Sequence, residues 1–211
     1  MDIAVSPLLQ NSAVETRRAF GILFIAVSIS VWVGSFLSEI AYIIATFPLY
    51  YYAIIWIASF GAVFGASSTR LRKAVPAILG RMKTSTRWPA GAKALNGICW
   101  AGPFAAIAVF PSLYQYLILA GIGLGNLSTY FMIKKYSGAD NREQLIVALI
   151  SLTAVPAAVM IDSMLFATRQ DIEVMLSRFL IGIAYGAGGL YALLIKTGPV
   201  GFDPTTSGSL Q

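Results

Sequence analysis

The sequence RLRKAVPAILGRMKTSTRWPAGAK, residues 70–93, carries seven of the fifteen lysine and arginine residues of the chain. The stretches on either side of this basic loop are long, apolar and almost free of charge. Clusters of lysine and arginine beside apolar segments are typical of the cytoplasmic loops of membrane proteins. The pattern predicts that the basic loop separates a first helical hairpin from the rest of a membrane-spanning chain.

The composition also indicates a membrane protein. Of the 211 residues, 57% are hydrophobic and 11% are charged, whereas a soluble domain carries about 25% charged residues. Apolar runs recur at close to the roughly 20 residues that a helix needs to cross a bilayer. They do not alternate with polar residues as the strands of a membrane barrel do. The predicted fold class is therefore all-α, a polytopic membrane helix bundle.

Six transmembrane helices are predicted from the apolar runs and from the breaks between them. Glu39 is expected to end the first helix, the chain to turn within residues 45–48, and a polar connection, residues 168–177, to precede the last helix. The predicted spans are residues 19–38, 49–69, 94–110, 113–133, 144–162 and 179–195.

The termini are expected to lie outside the membrane. The N-terminal tail, residues 1–18, and the C-terminal tail, residues 197–211, flank the predicted transmembrane domain, residues 19–196. With six spans, thirteen of the fifteen positive charges fall on one side, and only Arg169 and Arg178 fall on the other. The positive-inside rule then predicts that both termini are cytoplasmic. The expected location is the plasma membrane, as an integral multi-pass protein.

Part of the basic loop has the pattern of a helix that lies in the headgroup plane. Five apolar residues share one helical face, and most of the basic residues share the other, as in helices that lie over anionic lipid. Pro76 is compatible with such a helix only if it occupies the first turn. A flexible basic linker is the alternative. The residues expected to contact lipid headgroups are Arg70, Arg72, Lys73, Arg81, Lys83 and Arg87.

Three predicted spans carry a GxxxG motif, which lets helix backbones approach closely. With the Ala-x-Pro-x-Ala sequences at 101–105 and 154–158, these motifs suggest three copies of one helical hairpin in parallel orientation. Chance recurrence of glycine is the alternative. Helix packing is the expected role of the glycines, and a backbone-lined path for a solute is the other interpretation. The three pairs are Gly61 and Gly65, Gly121 and Gly125, and Gly182 and Gly186.

The sequence excludes several kinds of chemistry. The chain has no histidine and one cysteine, Cys99, so histidine-dependent catalysis, histidine metal sites and intrachain disulfides are absent. No phosphate loop, paired catalytic carboxylates or nucleophile with a base is found. We therefore expect no enzyme, no metal and no cofactor. Nucleic-acid binding is not expected either, because the positive charge lies mostly beside the spans.

A few polar residues are candidates for solute binding, namely Asn126, Ser128 and Asp162. For Asn126 the alternative role is a hydrogen bond between helices, and for Asp162 it is ordinary placement at the membrane interface. No ionisable residue is predicted near the middle of the membrane, where proton-coupled carriers hold such groups. Proton-coupled transport is therefore disfavoured.

Two functions remain open from the sequence. The first is a non-catalytic integral membrane subunit or scaffold of a multi-subunit membrane complex. The second is a channel or carrier for a small solute, not coupled to protons. The expected partners are the bilayer, with anionic headgroups at the cytoplasmic face, and partner membrane subunits or further copies of the chain. Burial of the GxxxG faces by another chain would favour the subunit, and a water-filled cavity that reaches Asn126 would favour the carrier.

Overall fold

The computed structural model describes residues 7–45, 47–85, 88–165 and 170–195. Within these ranges the protein is mostly helical and has no strand. A 3₁₀ turn at Pro111–Leu113 connects the fourth helix to the fifth. The α-helices of the described ranges are α1 (Pro7–Ile44), α2 (Leu49–Ala66), α3 (Ser68–Ser85), α4 (Ala90–Ala106), α5 (Tyr114–Ser137), α6 (Arg142–Leu165) and α7 (Gln170–Leu194).

Several of these helices are suited to crossing a membrane. Segments of α1, α5, α6 and α7 are long and apolar enough to do so, and a fifth span results if α2 and α3, which meet at an 87° bend, count as one broken span. The protein is therefore a multi-pass membrane protein of the all-α class. The predicted count of six spans is not confirmed.

The distribution of side chains is that of a bundle in lipid. Ser30, Ser35 and Ser151 are fully buried between helices, whereas the side chains of Ile57 and Met164 are more than two-thirds exposed. Lipid is as apolar as leucine, so large apolar residues gain little by leaving it, while small residues let helices pack closely. The exposure of many large apolar side chains, together with the burial of small polar ones, supports the membrane assignment.

The helices pack in a row whose order is α2, α1, α7, α6, α5, α4. The main apolar core joins the central members of this row and includes Phe24, Leu119, Val147 and Ala184. The two ends of the row are α2 and α4. α3 packs against α1 at one end of the bundle, where Ile78 contacts the core.

The first helix is longer than predicted. The prediction that Glu39 ends it was wrong, because α1 continues to Ile44. Residues 40–44, IAYII, include no glycine or proline that would break the helix. Glu39 is buried within the helix rather than placed at its end. α2 begins at Leu49, which confirms the predicted turn, although Thr46 lies outside the described residues.

Two further boundaries differ from the prediction. The prediction of a polar connection over residues 168–177 was wrong from residue 170 onward, because α7 begins at Gln170. The sequence QDIEVMLSR there lacks glycine and proline, the residues least favourable inside a helix. α4 begins at Ala90, directly after Pro89, whose extended ψ of 153° places it outside the helix as the N-cap. α4 ends at Ala106, within one turn of Pro103.

The basic loop is helical for most of its length. α3 covers the predicted headgroup segment as far as Ser85 and is steeply bent away from α2. The expectation that Pro76 occupies the first turn was wrong, because Pro76 lies in the middle of α3. Proline there leaves the carbonyl of Arg72 without its helical partner. Both residues are exposed, so water or a headgroup can satisfy that carbonyl.

Candidate functional site

A polar network joins α4 to α5. The side-chain carbonyl of Asn96 accepts hydrogen bonds from the hydroxyls of Ser128, at 2.8 Å, and Thr129, at 2.9 Å. The indole N–H of Trp100 donates to the Thr129 hydroxyl at 3.1 Å. Asn96 and Trp100 are four residues apart and therefore share one face of α4. The candidate Ser128 is thus part of a contact between helices. Sequence reasoning missed Asn96, although it is a polar residue inside a predicted span.

Asn126 links α5 to α7. Its side chain is buried and donates to the backbone carbonyl of Ile122 at 2.8 Å, and it lies beside the side chain of Tyr185 on α7. Two residues along a helix correspond to about 200° of rotation, so Asn126 and Ser128 lie on nearly opposite sides of α5. The structure therefore does not bring these two candidates into one site.

Asp162 lies near the end of α6 and contacts a different part of α5. The Tyr116 hydroxyl donates a hydrogen bond to its carboxylate. Tyr116 and Asn126 are ten residues apart, which is about 15 Å along a helix. The three candidate residues therefore make three separate contacts, each between α5 and a different neighbouring helix. These contacts hold α4, α6 and α7 in register against α5.

The glycine pair of α5 receives aromatic side chains from α4. A methyl group placed on Gly121 would lie 2.9 Å from the ring of Phe104, and one placed on Gly125 would collide with the ring of Trp100. Phe104 and Trp100 are again four residues apart on one face of α4. The two glycines thus form a groove that two aromatic side chains fill.

The glycine pair of α7 is filled in the same way from α1. A methyl group on Gly182 would collide with the indole of Trp32, and one on Gly186 would lie 3.0 Å from the Ser28 hydroxyl. Both residues of α1 also bond the backbone of α7. The Ser28 hydroxyl donates to the Gly182 carbonyl at 2.6 Å, and the Trp32 indole donates to the Phe179 carbonyl at 3.2 Å.

The glycine pair of α2 has no such filling. A Cβ atom added at Gly61 or at Gly65 would have no atom of the described chain within 4 Å. Both glycines are exposed. The three pairs therefore have three different environments: one faces the preceding helix of its own hairpin, one faces a helix of another hairpin, and one is open. These environments do not support the predicted hairpin repeat.

The predicted headgroup residues separate into two groups on α3. Arg70 and Lys73 line a cleft between α3 and the ends of other helices. Arg72 and Lys83 are exposed and lie outside that cleft. The side chain of Arg81 and all of Arg87 lie outside the described residues.

The connection from α5 to α6 forms one edge of the same cleft. Gly138 ends α5 with a positive φ of 65°, a conformation that glycine adopts without strain. Asn141 precedes α6, and its side chain bonds that of Gln144. Its backbone carbonyl accepts the N–H of Gln144 at 3.0 Å. Asparagine at the N-cap with glutamine three residues later has the spacing of a capping box, and the two bonds connect Asn141 to the first turn of α6.

A comparison of the chain with protein-family models, curated proteins and solved structures found no match.

Proposed function

We propose that the protein is a non-catalytic integral membrane subunit or scaffold of a multi-subunit membrane complex. The observation that carries this proposal is the open glycine pair of α2, at one end of the helix row. In this chain the pairs of α5 and α7 each hold side chains of a neighbouring helix. The pair of α2 offers the same kind of groove to a helix of another chain.

The open groove belongs to a longer exposed face of α2. Ile54, Ala58, Gly61 and Gly65 follow one another at spacings of four, three and four residues, which places them on one side of the helix. All four are exposed. The opposite side of α2 packs on α1, where Trp56 fills the space beside Gly34. A transmembrane helix of a partner can therefore pack along this face without displacing α1.

The proposal includes six membrane crossings. α2 has 18 residues and no charge, which gives about 27 Å of helix, close to the thickness of the hydrocarbon core. α4 has 17 residues and packs along α5. With α2 and α4 counted as spans, the steep bend after Ala66 directs α3 along the membrane surface. The hairpins α1–α2, α4–α5 and α6–α7 then each pack internally, although their equivalence as repeats rests on the sequence alone.

The proposed orientation has both termini in the cytoplasm, in the plasma membrane. Arg17 of α1, Arg70 of α3 and Arg142 of α6 line one cleft at one end of the bundle. Ile195, the last described residue after α7, lines it as well. Basic residues from separate parts of the chain thus lie together with the first part of α1 and the last described residue after α7, which supports this orientation. The positive-inside rule assigns that end to the cytoplasm.

Native mass spectrometry of the protein expressed at its natural level and extracted in mild detergent tests the subunit proposal. We expect a complex of fixed stoichiometry with other chains. The variant Gly61→Leu/Gly65→Leu fills the open groove and should reduce that complex at least about tenfold. The control Ala53→Leu changes an exposed residue that lies about 110° around α2 from the centre of this face, and it should leave the complex intact. Recovery of the wild-type chain alone or as a homo-oligomer would overturn the proposal.

The second candidate function is a channel or carrier for a small solute that is not proton-coupled. The cleft at the α3 end favours it, because its volume of about 1450 Å³ is large enough to serve as a vestibule. Flux into liposomes that contain the purified chain alone distinguishes the two functions. A saturable flux that Asn126→Leu reduces would support the carrier, and flux equal to that of empty liposomes would exclude it for the solutes tested.

A further inference from the structure

The cleft at the α3 end has walls from several helices. It lies between the beginning of α1, the side of α3, the connection from α5 to α6, and the end of α7. Its volume is about 1450 Å³. The cleft therefore lies where α3 packs against the helix bundle.

The charges around this cleft are predominantly positive. Five basic residues line it against two acidic residues, Glu15 and Asp140, so the net charge of the lining is 5 − 2 = +3. Glu143 lies behind Arg17 and lowers the local sum to +2. An excess of positive charge that persists after the neighbouring acids are counted favours an anion in the cleft. The five basic residues are Arg17, Arg18, Arg70, Lys73 and Arg142.

The five cations differ in how far they are already paired. Arg142 is bonded to Asp140 at 2.6 Å. Arg17 lies 4.0 Å from the buried carboxylate of Glu143 and 4.9 Å above the Tyr191 ring. These contacts hold Arg17 in place, and its Nε atom has no hydrogen-bond partner among the described residues. Arg18, Arg70 and Lys73 form no ion pair within the described part of the chain.

Apolar residues lie beside the cations. Ala19 and Ile133 are buried in the floor of the cleft, and Ile22 and Ile195 extend the apolar surface. A ligand that fits both parts has an anionic group for the arginines and an apolar part for this surface. Guanidinium groups bind phosphate oxygens in pairs, and the membrane surface is rich in phosphate esters.

We propose that this cleft binds the phosphate group of a phosphate ester, with Arg17, Arg18, Arg70 and Lys73 around the phosphate. An acidic phospholipid would supply both the phosphate and the acyl chains that cover the apolar surface. A soluble phosphate ester would supply the phosphate alone. Either ligand would tie α3 to α1, because the basic residues come from both helices. This inference is independent of the proposed subunit role.

The helical positions on α3 provide a matched control. Arg70 and Lys73, three residues apart, share the side of α3 that faces the cleft with Ala77 and Gly80. Arg72 and Lys83 are exposed elsewhere on the helix. The variants Arg70→Gln/Lys73→Gln and Arg72→Gln/Lys83→Gln therefore remove the same charge from the same helix. General attraction to an anionic surface weakens equally in both, whereas binding in the cleft weakens in only one.

The test is a titration of the purified full-length chain in dodecyl maltoside micelles, followed by native mass spectrometry. The probes are phosphatidylglycerol, phosphatidylcholine and soluble glycerol 3-phosphate. We expect phosphatidylglycerol to bind more tightly than phosphatidylcholine. The variant Arg70→Gln/Lys73→Gln should raise its dissociation constant at least about tenfold, and the control pair less than about twofold.

Each outcome of the titration has a defined meaning. Binding of phosphatidylglycerol without glycerol 3-phosphate identifies a lipid as the source of the phosphate. If glycerol 3-phosphate binds, and its binding weakens in the cleft variant as much as that of phosphatidylglycerol, the phosphate comes from a soluble ester. Equal weakening by the two variant pairs, or no weakening by either, overturns the proposal. If the cleft variant does not fold, as judged by circular dichroism, Arg18→Gln on the opposite wall takes its place under the same criteria.

Discussion

The glycine pairs of α5 and α7 differ from the pair of α2 in one respect, which is what lies against them. In α5 and α7 each pair holds side chains from a neighbouring helix, with Trp100 or Trp32 as the largest. In α2 the pair faces open space within the described structure. The same motif therefore marks a completed contact in two places and an available surface in the third. The subunit proposal depends on this difference.

The largest expected effect comes from adding a side chain to a groove that a neighbouring helix already fills. Gly125→Leu places a bulky side chain where the Trp100 ring lies, and neither helix can move without disturbing the Asn96 network. We expect a loss of about 3 kcal/mol in the free energy of unfolding, at the upper end for overpacked sites. Reversible unfolding in mixed micelles, followed by tryptophan fluorescence, measures it. A loss below about 1 kcal/mol would contradict the description of this groove as filled.

A double-mutant cycle sharpens the same comparison. Trp100→Ala removes both the ring beside Gly125 and the hydrogen bond to Thr129, and should cost about 3 kcal/mol, the lower end for tryptophan because Trp100 is only partly buried. Gly125→Ala is unfavourable only while that ring is present. In the Trp100→Ala background its cost should therefore fall by about 1–2 kcal/mol. Unfolding free energies of the four proteins give the coupling, and strict additivity would show that the two residues are not in contact.

A smaller effect is expected from the polar contact between α5 and α7. Asn126→Leu removes a buried polar side chain that lies beside Tyr185 of α7, and polar contacts between membrane helices are worth about 1 kcal/mol. The control is Thr153→Val, because Thr153 is exposed and bonds only the carbonyls of its own helix, α6. The control should change the unfolding free energy by less than about 0.5 kcal/mol. Equal losses in the two variants would argue against a specific role for the Asn126 contact.

The smallest effect on the chain itself is expected at the open groove. A Cβ atom at Gly61 has no described atom within 4 Å, and leucine favours a helix over glycine by up to about 1 kcal/mol. The free energy of unfolding of the isolated chain should therefore be unchanged or slightly raised, in contrast to Gly125→Leu. The same unfolding assay measures it. A large loss would show that the groove is already occupied within the chain, and the proposed partner surface would be lost.

The sequence was sufficient for the helical class, the turn at residues 45–48 and the break before Leu49, because apolar length and proline act locally. It was not sufficient for the contacts of the glycine pairs. The partner of Gly182 is Trp32, 150 positions earlier, and that contact depends on α1 packing against α7. The end of the first helix was predicted wrongly at Glu39, because a single carboxylate does not end a helix whose apolar sequence continues.

The candidate residues show the same limit. Asn126, Ser128 and Asp162 were identified as polar residues in or near spans, but their partners Tyr185, Asn96 and Tyr116 lie on other helices. Likewise, the amphipathic pattern of α3 separated its basic face from its apolar face. The pattern did not show that Arg70 and Lys73 face a cleft while Arg72 does not, because that division arises only when α3 packs across the end of the bundle.

The most direct test of the subunit proposal is photo-crosslinking in the native membrane from Ala58, which lies on the open face of α2. Leu149, an exposed apolar residue of α6, is the reference position for a lipid-facing surface. A photoreactive residue at position 58 should give one discrete protein adduct, and the same residue at position 149 should give only lipid adducts. Lipid adducts alone from both positions would contradict the proposal that a partner helix covers α2.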